Sequence, residues 1–206
     1  MLKRSLEDGQ VCFCKKIIIT IFCSVLSVMG GYFSVIAEAR QNHILADQPG
    51  CAVILLTNKD YFPALIKVID DAQDEIFISI FSFKVGVHKN SYPDQVLLHL
   101  SQTVRRGVKV KIILENTGNR DQKLGEQNHR TKNTLEEKGV KVYLDSPRRT
   151  THTKLIVIDQ KIVLLGSHNL TSAALKYNNE VSILLENPAL AKSSRDYMLT
   201  IIKEAK

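Results

Sequence analysis

The sequence holds 206 residues, 44% hydrophobic and 24% charged, with 28 Lys and Arg against 21 Asp and Glu for a net charge of +7. That balance excludes intrinsic disorder and fibrous or collagen-like architectures, and the length suits one domain of ordinary size with an appendage. Of the four cysteines, Cys12, Cys14 and Cys23 precede residue 24 and Cys51 stands alone thereafter, which excludes a disulfide-stapled fold and a cysteine-rich zinc site.

The chain opens on a membrane-directed segment. Residues 17–36, IIITIFCSVLSVMGGYFSVI, carry no charge over 20 positions and follow Lys15-Lys16. A buried core helix would show a polar face, and this run has only scattered Thr and Ser. Ala37 and Ala39 have the spacing a signal peptidase reads, while the run is also long enough to span a bilayer uncleaved. Residues 1–39 are therefore read as a signal peptide or an N-terminal membrane anchor. Lys3, Arg4, Lys15 and Lys16 flank it on the N-terminal side, which predicts that the bulk of the chain is exported, periplasmic or secreted, or anchored with its domain outside the cytoplasm. Losing this segment removes only one unit of the positive excess, so the remainder stays basic. A basic surface suits polyanions such as nucleic acid or anionic lipid, and equally suits plain solubility.

Residues 40–50, RQNHILADQPG, read as a linker, and the domain proper spans 51–206. Strand-like AVILLT at 52–57, a helical pattern from Tyr61 to Ala72 and EIFISIFSF at 75–83 come first. A helical pattern from Pro93 to Arg106, VKVKIILE at 108–115, a polar helical pattern near Gln127 to Lys138 and VKVYLD at 140–145 follow. Gly107 and Gly139 mark helix ends, where a left-handed residue stops the helix. The last third reads TKLIVID at 153–159, IVLLGS at 162–167, a short helix around Leu170 to Tyr177, EVSILLE at 180–186 and a final helix from Pro188. The two-residue link Gln160-Lys161 predicts an antiparallel hairpin. The fold class is thus α/β, a mixed sheet flanked by helices on both faces.

The chemistry sits in H-T-K-L-I-V-I-D, where His152, Lys154 and Asp159 form H-x-K-x4-D, followed at once by Gly166-Ser167-His168-Asn169. Three specified residues at fixed spacing arise by accident roughly once in forty chains of this length, and the G-S-x-N sequel makes chance far rarer still. Side chains alternate along a strand, so His152 and Lys154 project from one face and Asp159 from the other. His152 and Lys154 can therefore meet one ligand, whereas Asp159 is expected at the hairpin, holding backbone or a basic side chain. Ser167 and Asn169 come off the partner strand, where a hydroxyl and an amide can donate to phosphate-like oxygens. Glu180 could accept the second ring proton of His152 and fix the tautomer whose free nitrogen attacks.

These residues resemble the phospholipase D superfamily, the HKD phosphodiesterases that include secreted nucleases, phospholipases D, cardiolipin synthases and cardiolipin hydrolase. The resemblance runs from about Cys51 to the C-terminus and is most specific between His152 and Glu180. It implies that His152 is nucleophile or general acid, that Lys154, Ser167 and Asn169 bind the substrate phosphate, and that Asp159 supports and Glu180 orients them. It also implies attack on phosphorus through a phosphohistidine, with no metal and no cofactor. No second His-x-Lys occurs, so two histidines require two chains, and a homodimer with the site at its twofold interface is expected.

The remaining histidines, His43, His88, His99, His129 and His168, show no metal-ligand spacing and are read as surface residues. Arg148-Arg149 are expected to extend the phosphate-binding surface, Lys109 and Lys111 to lie on an exposed or pocket-facing side of a strand, and 116–128 to be a loop, mobile over the site or inert. With no Trp, a base-stacking platform is not evident, which leaves backbone-only recognition of nucleic acid intact. An exported endonuclease is the leading expectation. A phospholipase D or cardiolipin hydrolase acting on membrane phospholipid comes next, and a non-catalytic polyanion-binding module is the reading of another class.

Overall fold

The computed structural model describes residues 53–88 and 90–205. The expected membrane-directed segment 17–36 and the linker 40–50 lie outside them, and no helix among the described residues is long and apolar enough to cross a membrane. In chain order the elements are β1 (Val53–Thr57), α1 (Tyr61–Asp71), β2 (Glu75–Ile80), α2 (Tyr92–Arg105), β3 (Lys109–Leu114), α3 (Gln122–Glu136) and β4 (Lys141–Leu144). They continue with β5 (Lys154–Ile158), β6 (Ile162–Gly166), a π-helical turn (Ala173–Tyr177), β7 (Val181–Glu186) and α4 (Pro188–Glu204).

The strands make one mixed sheet in the order β1-β7-β6-β5-β2-β3-β4. β2, β3 and β4 run parallel because α2 and α3 carry the chain back across the sheet, while β5, β6, β7 and β1 are antiparallel neighbours. At its centre β2 is buried at every position. Its Ile76, Ile78 and Ile80 join Ile112, Leu114, Ile156 and Leu164 under α1, α2 and α3. Phe77 faces the other way, with Ile113, Val157 and Val163 against Ala191, Met198 and Ile201 of α4. Helices on both faces explain why these strands read as nearly continuous apolar runs.

Local signals account for most boundaries. Ser91 and Asp94 close a capping box at the start of α2, and Gly107 and Gly139 take φ of +93° and +82° just past the ends of α2 and α3. The β5–β6 connection differs from the expected two-residue link. It has three residues, Asp159 to Lys161, closed by Lys161 N–H on the Ile158 carbonyl at 2.9 Å. Asp159 and Gln160 both adopt positive φ, +50° and +52°, the primed turn whose twist matches the strands.

The largest departure from expectation is at 116–128. Residues 122–128 are the first turns of α3, capped by the Asp121 carboxylate on Leu124 N–H at 3.0 Å. The buried side of these turns carries Gln127, Asn128 and Thr131, and the low apolar content hid a helix whose inner face is polar. Asn128 is fully buried; its amide donates to the Phe81 and Glu115 carbonyls, both at 2.9 Å, and its oxygen accepts from Phe83 N–H at 3.4 Å. Thr131 donates to the Phe83 carbonyl at 2.6 Å. α3 thus ties the segments that leave the C-terminal ends of β2 and β3. Asn128→Ala strands two buried carbonyls, so a loss of about 2–3 kcal/mol is expected in urea unfolding, with no change in m-value.

Candidate active site

β5 carries the motif only because of how it docks on β2. Ile80 pairs with Lys154, and one step further Phe81 N–H donates to the Thr153 carbonyl at 3.0 Å. The Ser79 and Thr153 hydroxyls bond at 2.6 Å. His152 and Lys154 therefore share a side and both meet Phe81: the His152 ring stands edge-on to it at 4.6 Å between centroids, and Lys154 Nζ lies 5.2 Å from its centre. Lys154 Nζ also donates to the His152 carbonyl at 3.0 Å. His152 is exposed and Lys154 half-buried.

Desolvation, then the neighbouring Lys154 charge, holds the His152 pKa below the ordinary imidazole value. Lys154 is itself lowered, first by burial, with the Glu180 carboxylate pulling the other way. A neutral, accessible imidazole beside a cation is the state that a nucleophile for an anionic phosphodiester needs.

Asp159 sits beyond the opposite end of β5. Its carboxylate accepts three backbone N–H groups, from Gln73 at 2.9 Å, Asp74 at 2.8 Å and Glu75 at 2.9 Å. Burial opposes the charge, but those amides and Lys161 hold its pKa below the usual carboxylate value. It anchors the hairpin to the start of β2, at the far end of the strand from His152 and Lys154.

Glu180 is held differently from the expected pairing with His152. Its carboxylate accepts from the Ser167 hydroxyl and from the Asn178 amide at 3.0 Å, and its N–H donates to Asn58 Oδ1 at 2.8 Å. Ser167 Oγ also accepts from Val181 N–H at 3.1 Å. The hydroxyl expected to reach phosphate is thus spent on Glu180, and Glu180 acts on Lys154 through its charge. Asn169 has amide N–H donors without a partner among the described residues: its oxygen accepts from Ser82 N–H at 3.2 Å, which fixes the amide, and its side chain lines a cleft of about 400 Å³ with Phe81, Lys84, Lys123 and Arg130.

Three further expectations are revised. His168 is fully buried rather than on the surface, stacked on Tyr61 at 4.1 Å and bonded through Nδ1 to Ser182 Oγ at 2.7 Å and through Nε2 to the Asn58 carbonyl at 3.0 Å. A carbonyl can only accept, so Nε2 carries the proton, and burial keeps the ring's pKa low. It buttresses Asn58, which in turn holds Glu180; the alternation Ser167 out, His168 in, Asn169 toward the cleft was readable from strand parity. Arg149 turns to Glu204 of α4 at 3.6 Å and Arg148 bonds its own turn at Ser146, and both remain exposed. Lys111 is committed to buried Glu75 at 2.5 Å, which Arg195 of α4 also meets at 2.8 Å. His99, another histidine read as plain surface, pairs with Asp70 at 2.7 Å.

Sequence reasoning missed Phe81 as the wall shared by His152 and Lys154, although it lies in the strand read at 75–83. It also missed Glu115, whose partners come from distant segments. In an NMR titration, Lys154→Ala should raise the His152 pKa toward the free-imidazole value, because it removes one of the two causes that depress it.

Comparison with known proteins agrees with this geometry. Residues 65–202 match the family described as cardiolipin synthase, PLD-like domain. Among similar proteins, a phospholipase D of Rickettsia conorii is 31% identical over 125 residues, covering 61% of this chain and 56% of that protein. Cardiolipin synthase B of Shigella flexneri is 29% identical over 164 residues, 75% of this chain and 37% of that one. The chain spans about half the length of the Rickettsia relatives it matches. In fold it is similar to Nuc from Salmonella typhimurium, a phospholipase D family member, with a TM-score of 0.64 at 24% identity over 76% of this chain and 97% of that one. It is similar also to NucT from Helicobacter pylori, with a TM-score of 0.62 at 23% identity over 75% of this chain and 97% of that one. The mixed seven-stranded sheet, the His152–Lys154 strand and the family match lead to one conclusion: the chain belongs to the PLD-like domain family of the phospholipase D superfamily of phosphodiesterases.

Proposed function

We propose that the protein cleaves phosphodiester bonds through a phosphohistidine formed on His152, and that its substrate is nucleic acid. The observation that carries the reaction is the common wall at Phe81, where a neutral, exposed imidazole and a lysine ammonium address one point. A free ring nitrogen of His152 attacks phosphorus while Lys154 and the fixed Asn169 amide donate to the non-bridging oxygens. The leaving oxygen takes a proton from the partner's His152, and water then cleaves the phosphorus–nitrogen bond with that same imidazole as base. One chain supplies one such histidine, so the proposal includes a homodimer with the site on the twofold axis.

The substrate reading rests on the cleft beside Asn169, where Lys84, Lys123 and Arg130, against the single carboxylate of Asp121, offer net positive charge to a phosphate backbone. The uncharged run 17–36 behind Lys15-Lys16 supports an exported site of action. Phospholipid is the second reading. It is favoured by the relatives that bear the name phospholipase D and by exposed Tyr177 and Val181, 72% and 50% accessible, on either side of Glu180.

The test is an assay of the purified full chain in EDTA on single-stranded and duplex DNA, RNA, phosphatidylcholine vesicles and cardiolipin vesicles. DNA or RNA cleavage is expected, with His152→Ala lowering it about a thousandfold or more and Lys154→Ala costing about 2–4 kcal/mol of transition-state stabilisation. Head-group release with intact nucleic acid moves the assignment to phospholipase D. Activity of a species with the mass of one chain sinks the two-histidine mechanism, and strict dependence on a divalent ion sinks the metal-free one.

A further inference from the structure

Two acidic side chains meet beneath the segment that delivers His152. Glu115 follows β3 and Asp145 follows β4, and they are 1% and 3% accessible. Glu115 Oε2 accepts Thr151 N–H at 2.5 Å, the amide immediately before His152. Its Oε1 accepts from Arg120 Nη2 at 3.0 Å, and Arg120 reaches on to the Thr150 hydroxyl. Asp145 Oδ1 accepts Asn116 N–H at 2.5 Å. Asp145 Oδ2 is buried with no hydrogen-bond donor, although the Asp145 side chain lies within hydrogen-bond reach of Glu115.

We propose that Glu115 and Asp145 share one proton and act as a positioning pair that holds Thr151, and with it His152, in place. Four carboxylate oxygens meet three donors, Thr151 N–H, Arg120 Nη2 and Asn116 N–H; a proton on the fourth oxygen supplies the missing donor. One proton also leaves the pair with a single negative charge, matched by Arg120 alone. A second ionisation would put two like charges side by side in a site with one cation.

Among the described residues, the nearby cations other than Arg120 have partners of their own. Beyond Asp145 lie Arg149, Tyr197 and Glu204, and Arg149 is already paired with Glu204. Arg148 bonds Ser146. Toward α3 the facing group is the neutral Asn128 amide on the Glu115 carbonyl. Burial, and then Asp145 against the opposing pull of Thr151 N–H and Arg120, lifts the Glu115 carboxyl to about 7. The pair therefore holds its proton in mildly acidic solution; as pH rises through neutrality the proton is lost, and two like charges push apart the segments that carry Thr151 and Asn116.

The linkage has a definite sign. The folded pKa lies above the ordinary carboxylate value of 4.5, so the protonated pair stabilises the fold at low pH and that contribution is lost as pH climbs from about 4.5 to 7. Asp145→Asn puts an amide N–H at Oδ2, where the shared proton lies, and leaves both Glu115 oxygens to Thr151 and Arg120, which makes the tether independent of pH.

This role rests on the phosphodiesterase reading, so the test pairs turnover with a readout that needs none. Full-length wild type, Asp145→Asn and Glu115→Ala are compared on bis(p-nitrophenyl) phosphate from pH 5 to 9, alongside the hydrogen-exchange protection of the Thr151 amide relative to its intrinsic base-catalysed rate at each pH. Asp145→Asn should keep kcat within about threefold at pH 6 and carry its alkaline limb at least about one pH unit higher, with lowered Thr151 protection confined to wild type at high pH and Glu115→Ala. Glu115→Ala, with its folded fraction measured by circular dichroism, should lose about tenfold or more in kcat per folded molecule with KM nearly unchanged. Identical alkaline limbs in wild type and Asp145→Asn, or Thr151 protection indifferent to pH in wild type, would overturn the pair. If Glu115→Ala fails to fold, Asp145→Asn decides. If no protein turns over any phosphodiester, the catalytic reading falls and Thr151 exchange alone judges the tether.

Discussion

Everything at the site depends on the register between β2 and β5. Side chains alternate along a strand, so a slip of one residue would send His152 and Lys154 to the α4 face and bring Thr153 to Phe81. Two unlike devices oppose that slip. Along the strand, Ile156 and Ile158 are buried on one face and Val157 on the other, so a slip would have to rebuild two packed interiors at once. At the hairpin, Asp159 binds three successive amides at the start of β2, a match that exists in only one register. The motif thus divides its labour along a single strand: the His-Lys end meets solvent and the Asp end fixes where that meeting happens.

A second constraint is electrostatic. A lysine that stabilises phosphate must be partly desolvated to be effective, yet desolvation favours its neutral form. The Glu180 carboxylate counters this by acting on Lys154 through space. Glu180 stays useful only if it does not close onto the lysine and cancel it. Ser167, Asn178 and the Asn58 side chain hold it back, and Asn58 is itself braced by the buried, neutral His168. A chain of neutral groups therefore sets the distance between the two charges.

The α/β class, the order of the elements, the mixed sheet and the glycine helix stops were legible because each rests on local periodicity or a local cap. The shared face of His152 and Lys154 followed from parity alone. What escaped the sequence were pairings over long separations. Glu180 was matched to His152 by chemical suitability, but Ser167 and Asn178 lie nearer to it in the fold and take its oxygens. Arg149 stands close to the motif in sequence and points to the last helix. The α3 start was missed for a different reason: apolar periodicity finds helices that bury hydrocarbon, and this one buries Gln127, Asn128 and Thr131 against backbone groups.

That polar interior is a consequence of topology. The segments leaving β2 and β3 run toward the site past the regular ladder, and beyond the Phe81–Thr153 bond and the Phe83–Leu170 bridge their carbonyls and amides still require hydrogen bonds once buried. Aliphatic side chains would have filled the volume and left those groups stranded, at about 1–3 kcal/mol for each unsatisfied one. Asn128 and Thr131 satisfy the Phe81, Phe83 and Glu115 carbonyls, while Glu115 satisfies Thr151 on the next segment. The loops that form the wall behind His152 are therefore joined to one another through side chains. A site built this way is held rigidly at its backbone while its imidazole remains exposed, the combination that lets an accessible nucleophile also be a well-placed one.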